Sequence, residues 1–262
     1  MKQVAPAVAL LLVLVNGYAQ QQKIRSVTFP EEVHFAAVDR PGDLYLVLKN
    51  GEIRKIDKDG ALLGRRKFPS LPDLFDPRDG VLAFAYFRSS QILEYLAPDL
   101  STSSSQMVPE QFAVRPWLVC PTKNEIWILD SADLQLKHTT GTLTAIDREL
   151  VWPEPSSASV SQLTYLREYQ NFLFVLDRTR GVHVLNPLGK IIKTLGQPGM
   201  PHFHFLGEEF YYHTQRGLLL TDLYTAEERT LPLPYACDFA LLTDERLFIV
   251  SGKKLEVFTF TP

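Results

Sequence analysis

Two histidines separated by one residue form the sharpest chemical pattern in the chain, in the sequence His202-Phe203-His204. Alternate residues of a strand point to the same face, so two such imidazoles can share a metal ion, with His183 or His213 as a further ligand. The same residues fit equally well at the polar start of a strand after a Gly- and Pro-containing turn. We adopt the second interpretation and predict neither a metal nor a cofactor.

Three aspartates, Asp73, Asp76 and Asp79, recur at every third position before Gly80. A loop rich in carboxylates can hold Ca²⁺, but the alternating ligand spacing of a calcium loop is missing here. We therefore interpret these aspartates as solvated loop charges.

The common catalytic motifs are missing from the sequence. No nucleophile elbow, phosphate-binding loop, dinucleotide fingerprint or zinc-protease helix is present. The net charge of -3 gives no reason to expect a nucleic-acid partner. A catalytic site would therefore have to be assembled from several distant segments.

A repeat of about 40 residues organises the chain and must position any such site. Each of six units contains an apolar strand, a short polar turn and a second strand, with further apolar stretches before and after. Four short strands per unit are typical of propeller blades. The units are anchored at Leu44, Leu82, Ile126, Leu173, Tyr211 and Leu247. The sequence predicts an all-β, six-bladed β-propeller, with irregular segments between blades at 69–79, 97–111 and 152–160.

The ends of the chain are predicted to meet. The sixth unit stops after its third strand, while a spare strand around 24–29 precedes the first unit. We predict that this N-terminal strand completes the last blade and removes an unpaired edge. Cys120 and Cys237 fall in corresponding stretches of units three and six, on opposite sides of a six-fold ring and beyond the roughly 7 Å limit for a disulfide. Two free, largely buried thiols are predicted.

One unit carries a family resemblance. The segment from Phe172 to Gly196 resembles the repeat of NHL-type six-bladed propellers, with its markers at Asp177, Val182, Val184, Asn186, Gly189 and Gly196. The other units match this repeat more loosely. The resemblance implies the propeller fold, which hosts binding modules and enzymes alike.

The turns between the second and third strands of each unit should share one face with the loops between blades. Loops on a rigid scaffold often carry binding residues, and tryptophans add aromatic surface for a partner. The residues we predict to bind a ligand or partner are Arg88, Trp117, Asp130, Trp152, Asp177, Arg178, His204 and Arg216. A solvated rim of mixed charge is an equal alternative for this face.

The N-terminus predicts export. A basic Lys2, an apolar run and small residues up to Ala19 are typical of a cleavable signal peptide. The apolar run is shorter than the roughly 20 residues that span a bilayer. We expect residues 1–19 to be the signal peptide and 20–262 the propeller domain, without a transmembrane segment. The mature protein should be a monomer in the periplasm or outside the cell.

Two functions follow from this pattern. The first is a non-catalytic binding or scaffolding propeller of the bacterial envelope, with an unknown protein or small molecule as its partner. The alternative is a metal-dependent, lactonase-like hydrolase or lyase with its site in the central channel. The predicted innermost strands offer few ligands for that metal, mainly Asp39 and Asp238.

Overall fold

The computed structural model describes residues 21–78, 81–122, 124–152 and 160–261. These residues form 24 β-strands and one turn of 3-10 helix at Val160–Gln162. The predicted signal peptide and Asp79 lie outside the described residues.

The strands form six antiparallel sheets of four strands each, which confirms the predicted six-bladed propeller. Each blade is numbered here in chain order, with its innermost strand first. Blade 1 contains β2 (Val33–Val38), β3 (Leu44–Leu48), β4 (Glu52–Ile56) and β5 (Leu62–Lys67). Blade 2 contains β6 (Leu74–Asp76), β7 (Ala83–Phe87), β8 (Ile92–Leu96) and β9 (Thr102–Met107). Blade 3 contains β10 (Pro116–Pro121), β11 (Glu125–Asp130), β12 (Gln135–Thr140) and β13 (Ile146–Val151).

The second half of the ring repeats this plan. Blade 4 contains β14 (Leu163–Tyr169), β15 (Phe172–Asp177), β16 (Gly181–Leu185) and β17 (Ile191–Leu195). Blade 5 contains β18 (His204–Leu206), β19 (Glu209–Thr214), β20 (Gly217–Asp222) and β21 (Glu228–Leu231). Blade 6 contains β22 (Phe239–Leu242), β23 (Arg246–Ser251) and β24 (Lys254–Thr259), and β1 (Lys23–Thr28) is its outermost strand.

The N-terminal strand closes the ring. β1 pairs antiparallel with β24, from Lys23 opposite Phe258 to Thr28 opposite Lys254. This pairing confirms the predicted closure of the last blade. Because both ends of the chain share one sheet, β24 is not left as an unpaired edge.

The hydrophobic core lies between neighbouring blades. All five residues of β3 are buried, because both faces of this strand are covered. Tyr45 and Val47 belong to one apolar cluster with Phe75 of blade 2, whereas Leu46 belongs to another with Leu241 of blade 6. The period of two along a strand thus divides its side chains between two interfaces. Each such side chain contributes roughly 1.5–3 kcal/mol by its burial.

Two of the stretches predicted to be irregular contain strands. The innermost strand β6 lies within 69–79, and the outer strand β9 lies within 97–111. β6 has only three residues and β9 is largely Ser and Thr, so neither shows the apolar pattern of the other strands. Residues 153–159 of the third stretch lie outside the described part of the chain.

The strand order defines two faces. Successive strands in a blade are antiparallel, so the turns after every first strand lie on one face, which we call the mouth face. The turns after every second strand and the loops between blades lie on the opposite face. No helix in the described ranges is long and apolar enough to cross a membrane.

Candidate functional site

The central channel opens on the mouth face into a cavity of about 1320 Å³. This mouth cavity is lined by turns that follow the innermost strands of all six blades. One lining residue from each blade is Asp39, Asp76, Thr122, Glu168, Glu208 and Thr243. All six blades therefore contribute residues to the wall of this cavity.

Aromatic side chains fill the channel towards the opposite face. The ring centroids of Phe35 in blade 1 and Tyr165 in blade 4 are 5.7 Å apart, although these blades face each other across the ring. His202 lies 5.7 Å from Phe35 and 4.7 Å from Phe239, again between ring centroids. Burial, with Arg178 and His34 nearby, lowers the pKa of His202 to about 4, so this ring is neutral. The mouth cavity is consequently a blind pocket.

Two arginines and one carboxylate lie at the base of this pocket. Asp76 is 1% exposed, and its Oδ2 lies 3.6 Å from Nε of Arg167. Arg78 donates from Nη2 to Sγ of Cys120 at 3.1 Å. The two guanidinium groups also lie over aromatic rings, Arg78 at 5.3 Å from Phe84 and Arg167 at 5.5 Å from Phe205.

The backbone of Arg78 is held in an unfavourable conformation. Its φ of 51° lies in the left-handed region, which costs a residue other than glycine about 1 kcal/mol. The N–H of Arg78 donates to Oδ1 of Asp76 at 2.9 Å, and its carbonyl accepts from the N–H of Arg40 in blade 1 at 3.1 Å. These two bonds fix the direction from which the Arg78 side chain enters the pocket.

The groups around the arginine pair carry little negative charge. Burial raises the pKa of the Cys120 thiol, despite the opposing effect of Arg78. Burial also raises the pKa of Tyr165, and raises that of Tyr95 to about 12. Burial lowers the pKa of His204 well below its usual value. Among the described residues, the carboxylate of Asp76 is the one within ion-pair distance of an arginine of this pair, and the charges of Asp76 and Glu168 both act on Arg78.

The rim of the mouth cavity is acidic. Glu168, Glu208 and Asp244 lie there, and none of them forms an ion pair with a described residue. Glu245 differs, because its carboxylate pairs with Lys58 at 2.9 Å. Arg40 and Lys58 are the basic residues of this rim, so acidic side chains outnumber basic ones above the arginine pair.

Two of the predicted binding residues on the opposite face, Arg88 and Trp117, join blades to each other. Arg88 donates from Nε to the carbonyl of Trp117 at 2.7 Å, lies 4.1 Å from the Trp117 ring and pairs with Asp73 at 3.2 Å. Trp117 donates in turn from Nε1 to the carbonyl of Leu163 at 2.7 Å. These contacts link blade 2 to blade 3 and blade 3 to blade 4.

Asp130 is wholly buried and saturated with hydrogen bonds. It accepts from the backbone N–H groups of Val114, Arg115 and Ala132 at 2.8–2.9 Å. It also pairs with Nζ of Lys137 at 3.0 Å. Its carboxylate is occupied in holding the loop that leads into blade 3.

Asp177 and Trp152 are also buried. Asp177 accepts from the N–H and the hydroxyl of Thr179 at 2.7 and 2.6 Å, and Trp152 packs edge-on against His183. Arg178 and Arg216 by contrast have exposed side chains on the opposite face. The predicted binding role of all these residues stays a prediction.

His204 lies apart from the other predicted residues, because it is in the mouth cavity. Among the described residues, no group of three or more His, Cys, Asp or Glu is placed to hold a metal ion. The metal-dependent alternative remains a prediction that a metal analysis of the purified protein tests. Cys120 and Cys237 are both free, the first buried and the second partly buried.

The interpretation of the aspartates as solvated loop charges was wrong for Asp76. This residue ends the innermost strand β6, and its carboxylate points into the ring rather than into solvent. Sequence reasoning also missed Arg78 and Arg167. Arg78 lies two residues beyond the innermost strand β6 and Arg167 two residues before the end of the innermost strand β14. Finding this common position requires the innermost strands of units two and four to be placed correctly.

No protein-family model and no curated protein matches the chain. Solved β-propellers do match it. The Cps50 (Swd1) β-propeller domain of Myceliophteria thermophila has a TM-score of 0.61 at 9% identity, covering 92% of this chain and 100% of that chain. The Pan2 WD40 domain of Neurospora crassa has a TM-score of 0.60 at 10% identity, covering 92% and 98%.

A catalytically inactive virginiamycin B lyase from Staphylococcus aureus, solved with quinupristin, has a TM-score of 0.57 at 11% identity, covering 92% and 100%. At these identities, the similarity shows the propeller fold alone. The NHL-type resemblance of the fourth unit stays a prediction.

Proposed function

We propose that this protein is an exported, non-catalytic binding propeller of the bacterial envelope, which takes its ligand into the mouth cavity. The observation that carries this proposal is the blind pocket. A cavity of about 1320 Å³ opens on one face, and the contact between Phe35 and Tyr165 fills the channel behind it. A concave site with few polar groups at its base is the usual form of a small-molecule site.

The chemistry of the pocket supports binding. Its ionisable groups at the base are two arginines, one aspartate and neutral tyrosine, histidine and cysteine side chains. Arginine stays protonated at any physiological pH and does not exchange protons with a substrate. The residues at the base are thus suited to holding a charged group in place.

A blocked mouth tests this proposal. Val81 lines the cavity and is 68% exposed, so Val81→Trp places a large ring at the entrance. Compounds that stabilise the wild-type protein in a thermal-shift screen should lose at least about tenfold in affinity for this variant.

The matched control is Val151→Trp. Val151 is 71% exposed on the outer strand β13, far from the mouth, so the same substitution there should leave affinities unchanged. The proposal would be overturned if every compound bound the Val81→Trp variant as well as it binds the wild type.

Export has its own test. The full chain is expressed in a Gram-negative host, and the mass of the protein in the periplasmic fraction is measured. The expected product begins at Gln20. A product that keeps residues 1–19 and stays in the cytoplasm would contradict the envelope role without affecting the binding proposal.

A further inference from the structure

We infer that the mouth cavity recognises a monocarboxylate, whose two oxygens bind between the guanidinium groups of Arg78 and Arg167. This inference rests on the proposed function, because it names the class of ligand that the blind pocket accepts. Arginine matches a carboxylate geometrically, since its planar group presents pairs of parallel N–H donors.

The first argument is a charge count at the base of the pocket. The carboxylate of Asp76 lies within ion-pair distance of Arg167, whereas the charges of Asp76 and Glu168 act on Arg78 without a direct ion pair. A thiol and an aromatic ring, which are weak partners for a cation, complete the described contacts of Arg78. Buried charges are normally paired, so a bound carboxylate would give the Arg78 guanidinium the direct ion pair that it lacks among the described residues.

The second argument is the supply of hydrogen-bond donors. Nε of Arg78 is buried and has no acceptor, and Arg167 makes no hydrogen bond to a described residue. Each guanidinium carries five N–H donors and no acceptor. The free donors lie at the base of a cavity, where a bound carboxylate can accept from both side chains.

The third argument is the acidic rim, which limits the charge of the ligand. Glu168, Glu208 and Asp244 repel anions on the way in, and Arg40 on the same rim offsets part of this repulsion. At the same distances, a dianion such as a phosphate monoester would be repelled about twice as strongly as a monoanion. A single carboxylate suits both the base and the rim.

The fourth argument concerns the remainder of the ligand. Phe84, Tyr95 and Phe205 line the cavity close to the arginine pair, and Val81 and Leu82 lie exposed at its mouth. An aromatic or aliphatic group attached to the carboxylate would pack on these side chains. The class is therefore an apolar carboxylic acid, supplied either as a free acid or as the C-terminus of a polypeptide.

Three probes that share a phenyl ring and differ in their polar group test which polar group the wild-type protein prefers. They are phenylacetate, phenylacetamide and phenyl phosphate, and calorimetric titration measures their affinities. Phenylacetate should bind at least about tenfold more tightly than the neutral phenylacetamide, because its hydrogen bonds to arginine are charge-assisted. It should also bind more tightly than phenyl phosphate. Equal affinity for phenylacetate and phenylacetamide, or a preference for phenyl phosphate, overturns the inference.

Two variants locate the site. Arg167→Gln and Arg78→Gln should each weaken phenylacetate by about tenfold or more. Arg65→Gln is the control, because Arg65 is exposed on the outer strand β5. Circular dichroism and urea unfolding show whether each variant folds. If Arg167→Gln folds and binds phenylacetate as tightly as the wild type, the proposed site is wrong. If neither variant folds, the affinities of the three probes for the wild-type protein decide the question.

The peptide Gly-Gly-Phe and its C-terminal amide separate the two sources of the carboxylate. Tight binding of the free peptide but not of the amide indicates a polypeptide terminus, whereas binding of phenylacetate alone indicates a small acid. This inference is refuted if none of the carboxylates binds the wild-type protein. The proposed function still stands in that case if other compounds bind the wild type and lose affinity for Val81→Trp.

Discussion

The two faces of the propeller use the same residue types in different ways. On the opposite face, Asp130 accepts four hydrogen bonds from described groups and Arg88 is held by Asp73 and Trp117. On the mouth face, Arg167 reaches Asp76 only at 3.6 Å, and Nε of Arg78 has no acceptor. Charge in a loop is therefore a poor guide to a binding site unless the partners of each charged group are known.

This difference has a physical origin. The loops between blades must be fixed to close the ring, so charged side chains on the opposite face satisfy backbone groups that would otherwise be buried without partners. The turns on the mouth face surround an open cavity, where side chains can stay unpaired at lower cost. The following changes test whether the two faces differ in this way.

The largest effect is expected from Asp130→Ala. The change leaves three backbone N–H groups without their acceptor in a buried position and removes one of the two carboxylates that pair with Lys137, which should lower the free energy of unfolding by about 3–5 kcal/mol. Urea unfolding measures this loss. Asp133→Asn is the matched control, since Asp133 contacts the same lysine but is 40% exposed, and it should cost less than about 1 kcal/mol.

The contribution of Asp130 should depend on pH. Burial alone would raise its pKa, but the N–H groups of Ala132 and Arg115 together with Lys137 lower the pKa below its ordinary value. A carboxyl with a lowered folded pKa stabilises the protein above the unfolded value of about 3.9 and loses this effect as the pH falls through the folded value.

The measurement is urea unfolding of the wild type and Asp130→Asn from pH 7 to pH 2. The difference in the free energy of unfolding between the wild type and the variant should be constant above about pH 5. Below about pH 4 this difference should shrink by at most about 1.4 kcal/mol per pH unit. A difference that grows on acidification would contradict the hydrogen-bonded carboxylate.

A smaller effect is expected from Arg88→Ala. Loss of its bonds to Trp117 and Asp73 should lower the free energy of unfolding by about 1–3 kcal/mol. Arg178→Ala on the same face should change it by no more than about 0.5 kcal/mol, because the Arg178 side chain is exposed. If both variants lost a similar free energy of unfolding, the position of an arginine on this face, rather than its bonds to other residues, would determine the loss.

The smallest effect on stability is expected from Arg167→Met. Arg167 contacts Asp76 at 3.6 Å without a hydrogen bond, and Asp76 keeps the backbone N–H of Arg78, so an apolar side chain of similar length, which needs no desolvation of a charge, should change the free energy of unfolding by less than about 1 kcal/mol. Chemical denaturation of the variant checks this value. A loss of 3 kcal/mol or more would make Arg167 a structural residue like Asp130 and remove the contrast between the faces.

Much of the fold could be predicted because the blades repeat. The second and third strands of each unit are apolar and are bounded by polar turns, so they were visible as a period of about 40 residues. The closure by β1 followed from the missing fourth strand of the last unit. The short strand β6 and the Ser-rich β9 were missed, because hydrogen bonding to a neighbour rather than an apolar pattern makes them strands.

The candidate site was much less accessible. His204 is the one predicted binding residue that lies in the mouth cavity, and it was chosen for its spacing from His202 rather than for this position. Asp76 and Arg167 are 91 positions apart in the sequence, and only the curvature of the ring brings blades 2 and 4 close enough for their charges to meet.

The sequence by itself determined the class of fold, the number of blades and the strand that closes the ring, because local apolar periodicity and turn chemistry are properties of short segments. Only the tertiary structure decided which charged residues are satisfied and which face a cavity. That decision depends on distances between blades far apart in the chain, and a pattern within one repeat contains no information about them.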